Sequence, residues 1–289
     1  MILVTGATSD IGQKLCQLLT ESNINFQAMC RKEKQIKDFK QQGINAVLGD
    51  FQHPESLKAA MKGCESLILI TPPTQEQVEW EKAAIDAAKT SAIKYIVKVS
   101  ASDANIRSAV PWAKSHATID HYLRGSGIAW TILKPTAFMQ NFLSSNKPIS
   151  RGYLPQVAGD GKVAYIDSRD VAYVALEVLK DKENHRFATY YLTGPETLDM
   201  KEIAGQLSGV LDMKVRYLNL PKLVFRTILG LSGASSWFAS GIVVQFADVV
   251  AGAHALDISY EVKRIGKREP NSFVAFAREH KKTFSDELS

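Results

Sequence analysis

Between residues 1 and 134 the sequence alternates short, almost wholly apolar runs with longer segments of helical periodicity. Runs that are apolar on both faces are typical of strands covered by helices on both sides of a parallel sheet. Strands that alternate with helices imply crossover connections, so the pattern predicts an α/β fold with a doubly wound parallel sheet. The predicted strands are 2–5, 26–30, 46–48, 67–71, 95–100 and 130–133, and the predicted helices are 11–22, 34–42, 55–61, 75–91 and 113–125.

Beyond residue 135 the alternation changes, and the remainder of the chain is predicted to be mostly helical. We expect residues 1–149 to form the core, with 163–193 contributing late strands and a helix, and residues 194–289 to form a smaller, mostly helical lobe. No Pro/Gly/Ser-rich linker separates these parts, so residues 1–289 are expected to fold as a single unit. The predicted later elements are strands 163–166, 189–192 and 214–218 and helices 169–179 and 200–210.

Composition limits the classes of protein to which the chain can belong. The 289 residues are 45% hydrophobic and 22% charged, which supports a sizeable core and excludes a disordered or collagen-like chain. Lys plus Arg is 35 and Asp plus Glu is 30, so the net charge is +5, too small and too scattered to indicate a nucleic-acid partner. The three cysteines, Cys16, Cys30 and Cys64, have no metal-ligand spacing and are typical of a reducing compartment, which predicts a cytoplasmic protein.

No membrane or metal site is expected. The first apolar run starts directly after Met1 without a basic leader. The apolar segment 237–256 contains Gln245 and Asp248, which predicts a buried or amphipathic helix pair rather than a membrane span. Because His185, His254 and His280 lie far apart in the sequence, they do not predict a metal site.

The start of the chain has the order strand, glycine turn and helix that a Rossmann-like dinucleotide site requires. Gly6 permits a tight turn and Gly12 lets the helix pack closely on the strand, so backbone amides and the positive end of the helix dipole face a pyrophosphate. The usual middle glycine is absent, and the alternative interpretation is an ordinary strand-to-helix turn. The expected cofactor contacts in this segment are Gly6, Thr8, Ser9, Asp10, Ile11 and Gly12.

Two basic residues follow the second strand. A site that prefers NAD(H) usually carries an acidic side chain there for the ribose 2′-hydroxyl, whereas this chain has Arg31 and Lys32. A guanidinium can hold a 2′-phosphate with two parallel hydrogen bonds, so Arg31 predicts NADP(H) in preference to NAD(H). The alternative is a solvated basic pair at the end of a strand.

The remaining strand ends should meet at the same edge of the sheet, where ligands bind in folds of this kind. Asp50 and Phe51 are expected to flank the adenine. The other cofactor-binding residues predicted at this edge are Thr71, Pro72, Ser100, Ala101, His116 and Pro135.

Taken in order, several short motifs resemble the NmrA-like branch of the short-chain dehydrogenase/reductases. The motifs are VTGAT at 4–8, GDF at 49–51, SGIAWT at 126–131, KPTAFMQN at 134–141, YIDSRDVA at 165–172 and YLTGPE at 191–196. The resemblance extends to about residue 220. It implies an NAD(P)-binding protein related to NADPH-dependent quinone reductases, a triphenylmethane-dye reductase and plant phenylpropanoid reductases. The same family includes redox-sensing proteins that bind the dinucleotide without evident turnover.

The sequence lacks the Tyr-x-x-x-Lys pair with which most short-chain dehydrogenases perform acid/base chemistry. In its place, His116 and Asp120 are spaced i, i+4 on a predicted helix and can share a hydrogen bond. A carboxylate behind the imidazole would fix its tautomer and raise its basicity. We therefore predict His116 and Asp120 as the catalytic pair, as the resemblance to quinone and dye reductases also implies for the histidine. The alternative is a purely structural pair.

A flat acceptor needs a pocket beside the nicotinamide. The residues predicted to line it follow the sixth strand, with plain core packing as the alternative: Phe138, Met139, Asn141 and Phe142. The sequence thus predicts an NADPH-dependent reductase of a quinone or a similar planar, electron-poor small molecule. The alternative is a regulatory protein that senses NADP(H) through a protein partner; a homodimer is also possible. An epimerase is disfavoured because the tyrosine–lysine pair is absent.

Overall fold

The computed structural model describes residues 1–251 and 257–285 and confirms the α/β fold. A seven-stranded sheet, parallel throughout, has the spatial order β3-β2-β1-β4-β5-β6-β8. A second sheet has only β7 and β9, also parallel. The strands are β1 (Ile2–Val4), β2 (Phe26–Cys30), β3 (Ala46–Leu48), β4 (Ser66–Leu69), β5 (Tyr95–Val99), β6 (Ala129–Pro135), β7 (Tyr153–Gln156), β8 (Ala188–Leu192) and β9 (Arg216–Asn219).

Thirteen α-helices lie within the described residues. They are α1 (Asp10–Glu21), α2 (Glu33–Gln41), α3 (Pro54–Ala60), α4 (Gln77–Lys89), α5 (Pro111–Arg124), α6 (Asn146–Ser150), α7 (Ser168–Lys180), α8 (Met200–Leu211), α9 (Lys222–Leu231), α10 (Ser236–Val244), α11 (Glu261–Gly266), α12 (Phe273–Glu279) and α13 (Lys281–Ser285). Short 3-10 helices cover Met139–Ser145 and Lys182–His185, and a π-helical turn covers Gln245–Val250.

Alternate residues of each central strand contact helices on opposite faces of the sheet. Residues such as Val4, Ile68 and Val97 pack with α1, α2, α7 and α11. The neighbouring positions, such as Leu67 and Ile96, pack with α3, α4 and α5. Because side chains alternate along a strand, the position two residues after Ile96 also lies on the α4 and α5 face. That position is a lysine, and its surroundings are described below.

The second hydrophobic core belongs to the helical lobe and begins directly after β6. Its buried residues come from the 3-10 helix at Met139–Ser145, from α6, α8, α9, α10, α12 and α13, and from β7, and they include Val215 directly before β9. The predicted strand at 163–166 is wrong, because Val163 and Ile166 each make only a single isolated bridge, to Leu198 and Phe138. β7 was not predicted, since Pro155 within it weakens the strand signal.

The late apolar segment forms α10 and the π-helical turn up to residue 250, and residues 252–256, which include His254, lie outside the described residues. Helices long and apolar enough to cross a membrane are absent from the described chain. The three cysteines are buried free thiols. Burial raises the pKa of Cys16 to about 12 and that of Cys30 to about 11, so both stay protonated and serve as small apolar side chains.

The loop after β8 allows a test of the close packing between sheet and lobe. A Cβ atom on Gly194 would overlap the backbone oxygen of Tyr165, whereas a Cβ on Gly205, within α8, would meet open space. We expect Gly194→Ala to lower the free energy of unfolding by about 3 kcal/mol. The matched variant Gly205→Ala should raise it by about 1 kcal/mol, because alanine favours a helix interior over glycine. Urea unfolding followed by circular dichroism measures both; equal midpoints would contradict this packing.

Candidate active site

A cavity of about 840 Å³ opens at the carboxyl edge of the sheet, where the strand order reverses between β1 and β4. Such a reversal leaves a crevice because the connections from the two neighbouring strands run in opposite directions. The cavity is continuous from the glycine turn after β1 to the apolar helices of the lobe. One end therefore meets backbone amides and the other end meets aromatic and aliphatic side chains.

The glycine turn is built for close approach. Gly6 has φ +59°, and a Cβ there would lie 2.8 Å from the backbone oxygen of Ile70. Gly12 lies beneath the turn rather than on the cavity wall, since a Cβ on it would overlap the backbone oxygen of Gly6. The two glycines thus bring the start of α1 directly under the turn. Gly6, Thr8, Ser9, Asp10 and Ile11 line the cavity as expected from the sequence.

The conformation of Ser9 shows why the turn needs no middle glycine. Its φ of −77° needs no glycine, and it is the N-cap of α1, with Oγ accepting from the Gly12 amide at 3.1 Å. The first helical backbone bond runs from the Gln13 amide to the Ser9 oxygen. The amides of Asp10 and Ile11 precede it and so have no acceptor within the helix, and both residues line the cavity. Asp10 itself is exposed in the first turn, where a carboxylate stabilises the helix dipole.

At the end of β2 the structure separates the two basic residues. The Gln35 side-chain oxygen accepts hydrogen bonds from the backbone amides of Arg31 and Lys32, each at 3.1 Å, and so fixes the course of the chain. Arg31 and Gln35 line the cavity, whereas Lys32 is an exposed residue outside its lining. Of the two cations, Arg31 is therefore the one placed to meet a ligand.

Asp50 and Phe51 line the cavity next to an aromatic side chain that sequence reasoning missed. The Trp80 ring, from α4, stacks on Phe51 with centroids 6.4 Å apart and planes inclined by 13°. The Asp50 carboxylate accepts from the Gln52 amide at 3.0 Å, and its own amide donates to Ser56. A flat aromatic group entering here would meet a stacked pair at its side and a carboxylate at its edge.

The middle of the cavity is lined by Thr71, Pro72, Ser100, Ala101, His116 and Pro135, as predicted. Behind them lies a buried polar network. Thr71 Oγ1 donates to Glu81 Oε1 at 2.6 Å, and Gln77 Nε2 donates to the same oxygen at 2.9 Å. The Nζ of Lys98, a fully buried residue of β5, lies 3.5 Å from Glu81 Oε2, so the Glu81 carboxylate has a cation beside it.

The predicted hydrogen bond between His116 and Asp120 is wrong. Asp120 accepts from Ser100 Oγ at 2.9 Å and lies 3.3 Å from both Lys98 Nζ and Lys134 Nζ. His116 instead has its Nδ1 3.0 Å from Lys98 Nζ. Asp120 turns away from the imidazole because two lysines of the sheet attract its carboxylate more strongly. Asp120 is buried outside the cavity lining, so only His116 of the predicted pair can touch a ligand.

The surroundings lower the basicity of His116 instead of raising it. Burial, and then the positive charges of Lys98 and Lys134, hold the pKa of the imidazole well below its ordinary value. The imidazole is therefore neutral at physiological pH. An ammonium group can only donate, so Nδ1 accepts from Lys98 and the ring proton lies on Nε2. The Gln77 amide nitrogen lies 3.5 Å from Nδ1 and 3.4 Å from Nε2; because it is itself a donor, it makes no hydrogen bond to an Nε2 that carries the ring proton.

The lobe end of the cavity is apolar. Phe138, Asn141 and Phe142 line it as predicted. The fourth predicted residue, Met139, belongs to the lobe core instead, because its amide donates to the Ile166 oxygen and its side chain is buried. The cavity residues here that sequence reasoning missed include Trp112, Phe225, Phe238, Ile242, Gln245 and Phe246. They come from helices far apart in sequence, so periodicity alone did not connect them.

The buried network was also missed, although a signal was present. Lys98 and Lys134 each lie in a buried strand whose other residues are mostly apolar. A lysine in such a strand requires an acidic partner. Searching the flanking helices for buried acidic residues leads to Glu81 on α4 and Asp120 on α5.

The described residues contain no group of three or more His, Cys, Asp or Glu side chains placed to hold a metal ion.

The acidic residues at the start of α7 stabilise the helix and its packing. Asp167 caps α7 by accepting from the Arg169 amide at 2.9 Å. Asp170, in the first turn, accepts from the Asn271 amide at 2.8 Å, which ties α7 to the lobe.

The geometry fits a dinucleotide. The turn at Gly6 packs closely on the N-terminus of α1, the first helical residues Asp10 and Ile11 line the cavity, Arg31 lies at one end and an apolar chamber at the other. These are the parts that a pyrophosphate, an adenosine and a nicotinamide each require.

Known proteins are similar to this chain in sequence and fold. An NAD(P)H azoreductase of Xenophilus azovorans is 32% identical over 289 residues, covering 98% of this chain and 99% of the relative. The crystal structure of an NADPH-dependent quinone oxidoreductase of Escherichia coli complexed with NADPH has a TM-score of 0.85 at 25% identity and covers 97% of this chain and 99% of that chain. The triphenylmethane reductase of Citrobacter sp., complexed with NADP(H), shares the fold with a TM-score of 0.86 at 23% identity, covering 96% and 99%.

The profile of the NmrA-like family matches residues 1–258, which include the sheet, the glycine turn and most of the lobe. This match and the 32% identical relative confirm the resemblance carried by the short motifs: the chain belongs to the NmrA-like family.

Proposed function

We propose that this protein is an NADPH-dependent reductase that transfers a hydride to a planar, electron-poor acceptor of the quinone or azo class. The observation that carries the proposal is one continuous cavity that joins the glycine turn to an apolar chamber, with His116 between them. The names of the azoreductase and quinone oxidoreductase relatives support the same class of reaction.

Each part of the cavity has a task in this proposal. The amides of Asp10 and Ile11 bind the pyrophosphate, Arg31 binds the 2′-phosphate, and Phe51 contacts the adenine. The bound reduced nicotinamide supplies the hydride. Phe138, Phe142 and the helices of the lobe hold a flat acceptor and exclude water, because their side chains offer it only apolar surface.

His116 supplies the proton that follows the hydride. Its imidazole is neutral, carries the proton on Nε2 and lies at the cavity wall. A donor of this kind can form a hydrogen bond to the oxygen or nitrogen of the acceptor without placing a second positive charge in the site. Quinones need this help least, since their reduced oxygens are weakly basic; azo nitrogens need it more.

A panel of acceptors tests the proposed function. The protein is mixed with NADPH and with quinones, azo dyes, triphenylmethane dyes or enals, and oxidation is followed at the nicotinamide absorbance. We expect oxidation with quinones or azo dyes and none without acceptor. Tight NADPH binding by calorimetry with no oxidation across the panel would contradict a reductase and favour an NADP(H) sensor.

Arg31 determines the preference for NADP(H) in this proposal. Removing a charge-assisted contact to the 2′-phosphate costs about 2 kcal/mol, so Arg31→Ala should weaken NADPH binding by about 30-fold and leave NADH binding unchanged. Lys32→Ala is the matched control, because Lys32 is adjacent yet lies outside the cavity lining. Calorimetry with both cofactors measures the effects. An Arg31→Ala variant that loses affinity for NADPH and NADH equally would assign Arg31 another role.

The contribution of His116 to kcat should increase with the basicity of the reduced acceptor. We expect His116→Ala to lower kcat with an azo dye by about 100-fold, to lower it less with a quinone, and to leave NADPH affinity within a few-fold. His121→Ala, an exposed change on the same helix, is the control. Steady-state kinetics with both acceptors measures the difference, and equal losses with the two acceptors would contradict a proton-donating role.

A further inference from the structure

The buried network beneath His116 is larger than a structural ion pair requires. It has two cations and two carboxylates, all shielded from solvent, and it draws on four elements of the fold. Its charged members are Glu81 from α4, Asp120 from α5, Lys98 from β5 and Lys134 from β6. The uncharged members with contacts to them are Thr71, Gln77, Ser100 and His116.

Lys98 is at the centre of this network. Its Nζ lies 3.0 Å from His116 Nδ1, 3.3 Å from Asp120 Oδ1 and 3.5 Å from Glu81 Oε2. The shortest of these contacts is to the histidine. The two carboxylates keep the buried ammonium compensated, and Lys134 provides a second cation 3.3 Å from Asp120. Burying such a cluster costs desolvation energy, and well-packed apolar residues would stabilise a fold equally well.

We propose that Lys98 is a positioning residue that holds His116 in the Nε2–H tautomer and returns its proton through Nδ1. The acceptor step rests on the proposed reductase function. The tautomer does not, because it is a property of the protein alone.

The proton balance requires a partner on Nδ1. A neutral imidazole that gives its Nε2 proton to a reduced acceptor would become a strongly basic anion unless Nδ1 gains a proton at the same time. Lys98 Nζ is the donor placed to supply it. The acceptor gains the hydride from the reduced nicotinamide and the proton from Nε2; Nδ1 gains a proton from Lys98, which becomes a neutral amine. After the product leaves, Nε2 takes a proton from solvent water. The Nδ1 proton then returns to the Lys98 amine, which restores the ammonium and the Nε2–H tautomer.

The tautomer can be read on the wild-type protein without cofactor or acceptor. Long-range proton–nitrogen NMR of ¹⁵N-labelled protein distinguishes the two imidazole tautomers, and a His116→Gln variant assigns the signals. We expect the Nε2–H tautomer from about pH 8 down to about pH 5.5, below the ordinary histidine pKa. The Nδ1–H tautomer, or a protonated imidazole at pH 7, would overturn the proposal whether or not the protein is a reductase.

A charge-balanced variant tests the part played by Lys98. Lys98→Met alone would leave Glu81 without its cation, so the variant is Lys98→Met with Glu81→Gln, and Glu81→Gln alone is the control. Loss of the neighbouring positive charge should raise the pKa of His116 by about one unit or more in the double variant. The single variant should keep the wild-type pKa and tautomer. Equal NMR titrations of the two variants would overturn the role of Lys98.

Turnover gives a second readout that a merely structural lysine would not change. With an azo dye, kcat of the wild type should be nearly independent of pH between about pH 6 and 8, because His116 is neutral throughout this range. In the double variant, kcat should become pH dependent in step with the His116 titration seen by NMR. A uniformly lower kcat with an unchanged pH profile would overturn the relay, since it would indicate only loss of packing.

Discussion

The contact between the Gly6 turn and the start of α1 determines where everything else in the cleft can lie. Because Gly12 brings the helix within backbone distance of the turn, the N-terminus of α1 faces the crevice at the reversal of strand order. The positive end of the helix dipole and two amides then meet at one point of the sheet edge. Later strand ends contribute to the same edge only because the sheet is parallel throughout.

The second constraint is electrostatic. The sheet places two buried lysines on the face covered by α4 and α5. Each must therefore be compensated by an acidic residue from a covering helix. Asp120 compensates both lysines, which removes it from His116 and leaves the imidazole beside a cation. A histidine in these surroundings is a neutral hydrogen-bond donor, whereas one backed by a carboxylate would have been a stronger base.

Prediction from the sequence succeeded where local pattern decides the outcome. The strands and helices of the first half, the glycine turn and its edge of the sheet follow from hydrophobic periodicity and turn chemistry. It failed at residues 163–166, where an apolar run makes isolated bridges to two distant segments, and at Met139, which packs into the lobe core. It also failed for Asp120, since the i, i+4 spacing shows that a contact is possible and says nothing about competing partners across the sheet.

The sequence by itself therefore determined the α/β architecture, the family and the edge at which a ligand meets the sheet, because these depend on residues close together along the chain. Only the tertiary structure decided which charged group lies beside His116, the separation of Arg31 from Lys32 and the shape of the apolar chamber. Each of these depends on side chains brought together from different strands and helices. The free energy of a buried charge or a filled cavity is set by such neighbours, and their distances are not encoded in spacing along the chain.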